Sequence, residues 1–139
     1  MRSLERFLQE SCVKWFRYRF PKETIFAPMN EGVRGKVKSR SGRYFSPEGI
    51  KAKAMGKLAG VADLFVMKAM QGYYGLFIEL KTEKGRQSLS QKEFEQACKK
   101  NNYKYLLISD IDDFMAEVED YMTQGYATWT LLPPQEDQK

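Results

Sequence analysis

Three ionisable residues lie in an otherwise apolar and aromatic stretch of this 139-residue chain: Asp63, Glu79 and Lys81. Asp63 lies in ADLFVMK, whereas Glu79 and Lys81 lie in YGLFIELKT, and the two segments flank Met-Gln-Gly. Both segments are rich in strand-forming residues, and the glycine between them indicates a turn, so the pattern predicts a β-hairpin. Side chains alternate along a strand, and Glu79 and Lys81 are therefore expected on one face.

The symmetry of a hairpin indicates which residues face each other. The midpoint of positions 63 and 79 is position 71, in the predicted turn, so Asp63 and Glu79 should lie close together at the open end of the ladder. Two carboxylates at that distance repel each other unless a proton or a cation lies between them. The chain has no histidine, and oxygen ligands without His or Cys fit Mg²⁺ or Mn²⁺ better than zinc. A lysine nearby could orient or deprotonate a water, or neutralise charge on a phosphate.

Each part of this constellation also has a simpler interpretation. A Glu-x-Lys triplet is frequent by chance and is usually an exposed ion pair on a ladder. Asp63 alone could cap the start of a strand. The placement of all three residues on one hairpin is the more specific observation, and it favours a site for a hard metal ion.

The positive charge of the chain is concentrated in residues 33–58, which we call the basic segment. The net charge is +5, yet this segment carries eight basic residues and a single acid, Glu48. Such a block predicts binding to a polyanion such as nucleic acid. The alternative is a solvated, mobile loop. The basic residues are Arg34, Lys36, Lys38, Arg40, Arg43, Lys51, Lys53 and Lys57.

The remaining elements predict a mixed sheet flanked by helices, in the order α, β, β, β, α, β, α. Hydrophobic periodicity and capping residues set their bounds. We expect a helix over 4–20 with Ser3 as N-cap, a short strand in TIFAPMN and a helical turn in SPEGIKAKAM. After the hairpin we expect a helix over 90–101, capped by Ser90 and Glu93, with a left-handed exit at Asn101-Asn102. A buried strand in YKYLLIS and a last helix between Asp110 and Gly125 should follow.

Length and composition indicate one folded domain in the cytosol. An apolar share of 42% is sufficient for a core. No apolar run reaches the roughly 18 residues of a membrane span, and charges interrupt the N-terminal stretch where a signal peptide would need to be apolar. Cys12 and Cys98 are accordingly expected to be free thiols on buried helix faces.

The order Asp63, fifteen residues, then Glu79-x-Lys81 resembles the PD-(D/E)XK nucleases. From the first helix to about residue 122 the wider pattern resembles the VRR-NUC domain (virus-type replication-repair nuclease), in the stand-alone form of phages and bacteria. Two positions depart from the family pattern, because Ala62 stands where proline is usual and Asn102 where glycine is frequent. The residues that carry the resemblance are Asn30-Glu31-Gly32, Gly60 through Asp63, Glu79-Leu80-Lys81 and Gln91 after a serine-containing turn.

This resemblance implies an α/β fold with a restriction-endonuclease-like mixed β-sheet core, in a single nuclease domain over residues 1–132 followed by a polar tail, 133–139. It further implies that Asp63, Glu79 and the backbone carbonyl of Leu80 hold one divalent ion, Mg²⁺ or Mn²⁺. Lys81 would then position or activate the attacking water.

Two further residues are implied to support the site. Glu5 would reach in from the first helix as an outer ligand or for a second ion, with Gln9 on the same helix face and Glu10 as the rival acid. Gln91 would steady the lysine or a phosphate. The simpler interpretations are a first-turn acid favoured by the helix dipole for Glu5 and an ordinary surface residue for Gln91.

The expected function is therefore that of a metal-dependent DNA endonuclease, structure-specific on branched DNA of the Holliday-junction or flap type. The resemblance also implies a homodimer and a role in DNA repair in a bacterial or phage-infected cell. The alternative is a non-catalytic protein that binds branched or single-stranded DNA through the basic segment and the aromatic residues Trp15, Tyr44 and Phe45. A small RNA-binding protein is a weaker third reading, because the strands show no RNP-type aromatic pattern.

Overall fold

The computed structural model of the protein describes residues 2–28, 37–38, 40, 42 and 44–125. Several predicted residues lie outside these ranges, namely Asn30-Glu31-Gly32, Arg34, Lys36, Arg43 and the tail 133–139. The described elements are α1 (Arg2–Arg19), β1 (Ile25–Phe26), β2 (Val37–Lys38), β3 (Tyr44–Phe45), α2 (Pro47–Ala54), β4 (Leu64–Val66), β5 (Leu76–Leu80), α3 (Leu89–Lys100), β6 (Lys104–Ile108) and α4 (Ile111–Thr123).

The main sheet has four strands in the order β1-β4-β5-β6. The β1–β4 and β4–β5 pairs are antiparallel and β5–β6 is parallel, so the predicted mixed α/β fold is confirmed. In the β4–β5 hairpin Leu64 lies opposite Ile78 and Val66 opposite Leu76. Continued by one residue, this register places position 63 opposite position 79, as the hairpin symmetry predicts.

The two faces of this sheet are covered differently. The side chains of Leu64, Val66, Leu76, Ile78 and Leu80 point to one face and form the main core with α1 and α4. The opposite face is aromatic, and α3 covers it: Phe65 stacks on Phe77, and Phe77 contacts Phe94 edge-on with ring centroids 5.0 Å apart. Because Glu79 and Lys81 share the face of Phe77, the start of α3 is the nearest helical element to them.

Three local predictions are wrong in detail. The helix α1 begins at Arg2, so Ser3 lies in its first turn instead of capping it. The N-cap of α3 is Ser88, not Ser90, because Ser88 forms a complete capping box with Gln91. Strand β6 was expected to be buried, yet Leu107 is 52% exposed, since β6 is the edge strand of the sheet.

Other local predictions are confirmed. Asn102 has a left-handed φ of 63° after α3, and the side chain of Asp110 caps α4 by accepting from the Asp113 N–H. Cys12 and Cys98 are both buried and free. No helix in the described part of the chain combines the length and apolarity that crossing a membrane requires.

Candidate active site

The open end of the β4–β5 hairpin, where β4 begins and β5 ends, is organised by Asp63. Its Oδ2 accepts a hydrogen bond of 2.7 Å from the backbone N–H of Leu80. The paired residues of β4 start at Leu64, so this carboxylate occupies the place of the next ladder acceptor. In an antiparallel ladder the N–H and C=O of a residue point to the same side, and the Leu80 carbonyl therefore faces the side on which Asp63 lies.

The second carboxylate, Glu79, is almost fully buried, with 2% of its surface exposed. Its Oε1 accepts a 2.8 Å hydrogen bond from the Gln91 side-chain amide and lies 3.7 Å from the ammonium of Lys81. Its Oε2 is also buried, and it has no hydrogen-bond partner among the described residues. An unpartnered buried carboxylate oxygen is costly, so this atom is suited to a proton or a cation.

The pKa shifts of the two carboxyls also favour a proton or a cation between them. Burial, and then the charge of Asp63, raise the pKa of Glu79 to about 8, against the opposing effect of Lys81. Burial also raises the pKa of Asp63, although the Leu80 N–H and Glu79 act in the opposite direction. When both groups are ionised they only repel, whereas a proton on Glu79 allows a hydrogen bond to Asp63. Near neutral pH the pair therefore holds either a proton or a cation.

The first helix contributes a third acid at longer range. The negative charge of Glu5 raises the pKa of both Asp63 and Glu79. Glu10, the rival acid, instead accepts a 2.8 Å hydrogen bond from Arg6. Within the described residues, no three acidic, cysteine or histidine side chains converge into a group that could hold a metal. Glu5 thus acts on the pair through its charge, and the backbone oxygen of Leu80 is one further oxygen that could serve as a ligand.

Gln91 contacts Glu79, and no hydrogen bond joins its side chain to Lys81 among the described residues; its expected contact with a phosphate stays a prediction. Its Oε1 accepts from the Ser88 N–H at 2.9 Å, which closes the capping box, while its Nε2 donates to Glu79. The amide is therefore fixed at both ends. It ties the first turn of α3 to Oε1 of Glu79 and holds that carboxylate in one orientation.

Gly60 has a structural role that sequence reasoning did not assign. Its φ is +84°, and a Cβ at this position would lie 2.3 Å from the backbone C and O of Ser90 and 2.6 Å from the N of Gln91. Only glycine allows this approach. The loop before Asp63 consequently packs directly on the first turn of α3. The signal in the sequence was a glycine three residues before the acid, but nothing there indicated what it would touch.

A pocket of about 740 Å³ opens beside the carboxylates, with Asp63 and Leu80 on one side and α1 on the other. The α1 residues that line it include Glu5, Gln9, Val13, Lys14 and Arg17. Sequence reasoning missed Lys14 and Arg17 because it looked for basic residues only in residues 33–58. The three-residue spacing of Lys14 and Arg17 places them on one side of α1, but only the tertiary fold determines which surface of that helix faces Asp63.

The structure does not join the basic segment to the carboxylates. Lys51, Lys53 and Lys57 are exposed on and after α2, and Arg40 is exposed too. For Lys38 only the backbone is described. Among the described residues, no hydrogen bond or ion pair links these side chains to Asp63 or Glu79. Their predicted contact with nucleic acid stays a prediction.

Comparison with known proteins supports the fold predicted from the sequence. No protein-family model matches the chain, and no curated protein sequence matches it. Among solved structures, a protein described as a "VRR_NUC domain protein" superposes with a TM-score of 0.63 and 27% identity. The match covers 88% of this chain and 90% of that one. The resemblance to VRR-NUC domains is thereby confirmed, and the chain has a nuclease fold.

Proposed function

We propose that this protein is a metal-dependent endonuclease that hydrolyses phosphodiester bonds in DNA. The observation that carries the proposal is the pair Asp63 and Glu79, two carboxyls brought together at the open end of the hairpin with one buried oxygen that has no partner among the described residues. The similarity to a VRR_NUC domain protein over most of both chains supports a nuclease.

The donor set fits a hard divalent cation. Two carboxylates and the Leu80 carbonyl are all oxygen ligands, which Mg²⁺ and Mn²⁺ prefer. Burial raises the pKa of both carboxyls, and the charge of Asp63 raises the pKa of Glu79 further; a cation between them would offset both effects. We propose Mg²⁺ or Mn²⁺ as the cofactor, held by Asp63, Glu79 and Leu80, with Glu5 as an outer acid.

A divalent ion bound there would polarise the phosphate and lower the pKa of its water. The residues of the chain would do the rest. The ammonium of Lys81, 3.7 Å from Oε1 of Glu79, would position the attacking water or offset the negative charge that develops on the phosphate. Gln91 would hold Glu79 in place through its fixed amide, so that the buried Oε2 stays directed at the site.

For the substrate we propose branched DNA, of the four-way-junction or flap type. This follows from the resemblance to stand-alone VRR-NUC proteins, as does the proposed homodimer. Two-fold pairing suits a junction because two active sites could cut two strands symmetrically. The basic segment would hold the DNA backbone.

The test is cleavage of linear, flap and four-way DNA with Mg²⁺ or Mn²⁺, by the wild type and by the variants Asp63→Ala and Lys81→Ala. We expect each variant to cut at least about a hundredfold more slowly, since each removes a group that acts in the transition state. Lys100→Ala is the matched control, because it removes an exposed lysine from the last turn of α3, at the opposite end of that helix from Gln91.

Two outcomes would contradict the proposal. Unchanged cutting by both Asp63→Ala and Lys81→Ala would remove this assignment of the site. Salt-dependent DNA binding by the wild type with no metal-dependent cleavage of any substrate would instead indicate a binding protein that has a nuclease fold.

A further inference from the structure

The wall that α1 contributes to the pocket changes its charge along the helix. Glu5 lies at the end near the carboxylate pair, since its charge acts on both acids. In the middle, Arg6 and Glu10 form an ion pair of 2.8 Å and offset each other. Beyond them the charged residues that line the pocket are Lys14 and Arg17. The pocket is therefore acidic at one end and cationic at the other.

The side chains of Lys14 and Arg17 form no ion pair within the part of the chain that the structure describes. Both side chains are exposed, and neither has an acidic partner among the described residues. Arg19 in the same turn as Arg17 is different, because it pairs with Glu119 of α4 and lies over the Phe20 ring at 4.6 Å. Interaction with the helix dipole stabilises a cation in the last turn, which accounts in part for Arg17. Lys14 lies one turn earlier, outside the reach of that effect.

The spacing of these cations matches a nucleic acid backbone. Lys14 and Arg17 follow Glu5 by 9 and 12 residues, which at about 1.5 Å per residue is roughly 14 and 18 Å along the helix axis. Phosphates on one DNA strand are spaced about 3.4 Å apart along the duplex axis. A strand that runs from the carboxylate pair along α1 would bring phosphates about four to five steps from the cut beside Lys14 and Arg17.

We infer that Lys14 and Arg17 form a phosphate-binding subsite that holds the substrate strand several nucleotides from the scissile phosphate. The inference rests on the proposed function for the position of the cut, but binding of the backbone does not require cleavage. The subsite is separate from the basic segment. It implies a substrate that continues for at least about five nucleotides on one side of the cut, because a shorter end would not reach both cations.

Equilibrium binding of a fluorescently labelled DNA duplex, measured in EDTA over a range of salt concentrations, tests the subsite without cleavage. The binding constant K falls as the salt concentration rises, and each phosphate contact that is lost makes the slope of log K against log salt shallower by about 0.9. We expect the slope of the double variant Lys14→Gln/Arg17→Gln to be shallower than the wild-type slope by about 1.8. The control Lys22→Gln/Lys100→Gln removes two exposed cations that do not line the pocket, and it should keep the wild-type slope. A wild-type slope in Lys14→Gln/Arg17→Gln would overturn the subsite.

Steady-state cleavage separates this inference from the proposed function. If the protein cuts DNA, we expect Lys14→Gln/Arg17→Gln to raise KM at least about tenfold at 0.1 M salt, with kcat changed less than twofold. If the protein does not cut but the salt slope falls as expected, the subsite stands and the nuclease proposal fails. If it cuts and the variant has the wild-type KM and slope, the nuclease proposal stands and the subsite is overturned.

Discussion

The two ends of the β4–β5 hairpin differ in whether their polar groups have hydrogen-bond partners. At the turn end, around residues 70–73, the side-chain amide of Gln71 donates to the Asp120 and Gln124 carbonyls, each at 2.9 Å. The Tyr121 hydroxyl donates to the Lys68 carbonyl there. At the open end, Glu79 is buried with one oxygen lacking a partner among the described residues, beside a second carboxyl.

This difference separates a region that stabilises the fold from the candidate active site. The hydrogen bonds at the turn end close the hairpin onto α4, and each should stabilise the fold modestly. The open end carries two acids whose pKa is raised by burial, and the charge of Asp63 raises the pKa of Glu79 further, which weakens the fold above the pKa of an ordinary carboxyl. Variants of the two acids at the open end should therefore reduce activity without a matching loss of stability, and variants at the turn end should do the reverse.

The largest effect is expected from Glu79→Gln at the open end. The amide cannot carry the negative charge that a divalent ion requires, so we expect metal-dependent cleavage to fall at least about a thousandfold, by analogy with loss of a major electrostatic group. The same variant should make the metal-free protein more stable at pH 8 and above by a few kcal/mol, because it removes a buried charge. Cleavage assays and urea unfolding in EDTA would measure the two effects.

The effect of Glu79→Gln on stability should depend on pH, in a direction that follows from the raised pKa of Glu79. The pKa of Glu79 is raised to about 8 in the folded protein, against about 4.3 in an unfolded chain. Between these values the folded state binds the proton more tightly, so the free energy of unfolding should fall as pH rises, by up to about 1.4 kcal/mol per pH unit. Glu79→Gln should lack this part of the slope. Parallel pH profiles for the wild type and the variant would show that Glu79 is ionised throughout.

Gly60→Ala is expected to have the next largest effect, and it tests how the open end is held together. An added Cβ would lie 2.3 Å from backbone atoms of Ser90, at a φ of +84°. Neither the clash nor the conformation can be relieved by a side-chain rotation, so we expect a loss of about 2–4 kcal/mol in the free energy of unfolding. Because Gln91 would shift with α3, cleavage should fall as well.

Gly56→Ala is the matched control for Gly60→Ala. Its φ is +97°, but an added Cβ there would meet no atom of the described residues within 4 Å. It should therefore show only the conformational cost of about 1–2 kcal/mol. Equal losses for the two variants in chemical denaturation would mean that the contact between Gly60 and α3 does not matter.

The sequence predicted the placement of Asp63 opposite Glu79 well because symmetry about one turn is a local property. Asp63 and Glu79 follow from the position of that turn, and the register of β4 and β5 confirms it. The partner of Gln91 was not predictable in this way. It depends on α3 beginning at Leu89 instead of Ser90, and two serine-led capping patterns overlap there. Similarly, exposure of Leu107 depends on which strand ends the sheet, and that is a matter of tertiary order.

The pocket wall was unpredictable for a related reason. The amphipathic pattern of α1 identified its buried stripe, including Cys12 and Phe16. It could not show which part of the remaining surface would face Asp63, because that depends on how α1 crosses the sheet. Lys14 and Arg17 are for this reason visible as functional candidates only in three dimensions.

Tyr121→Phe should produce a smaller effect, confined to the turn end. The variant keeps the buried ring but removes the hydroxyl that donates to the Lys68 carbonyl, which leaves that carbonyl without this donor. We expect a loss of about 1–2 kcal/mol in the free energy of unfolding, with kcat unchanged because the bond lies at the far end of the hairpin. If Tyr121→Phe cut DNA more slowly even at saturating metal and DNA, the turn end would affect activity, and the distinction between the two ends would be wrong.

The smallest effect is expected from Gln71, whose φ of 55° is unusual for a residue other than glycine. Gln71→Ala removes the hydrogen bonds to the Asp120 and Gln124 carbonyls and should cost about 1 kcal/mol. Gln71→Gly loses the same bonds but relieves the left-handed conformation, which costs an L-residue about 1–2 kcal/mol, so it should be close to neutral. Thermal unfolding of both variants separates the two contributions. If alanine and glycine destabilise equally, the conformation carries no cost, and only the hydrogen bonds hold the turn to α4.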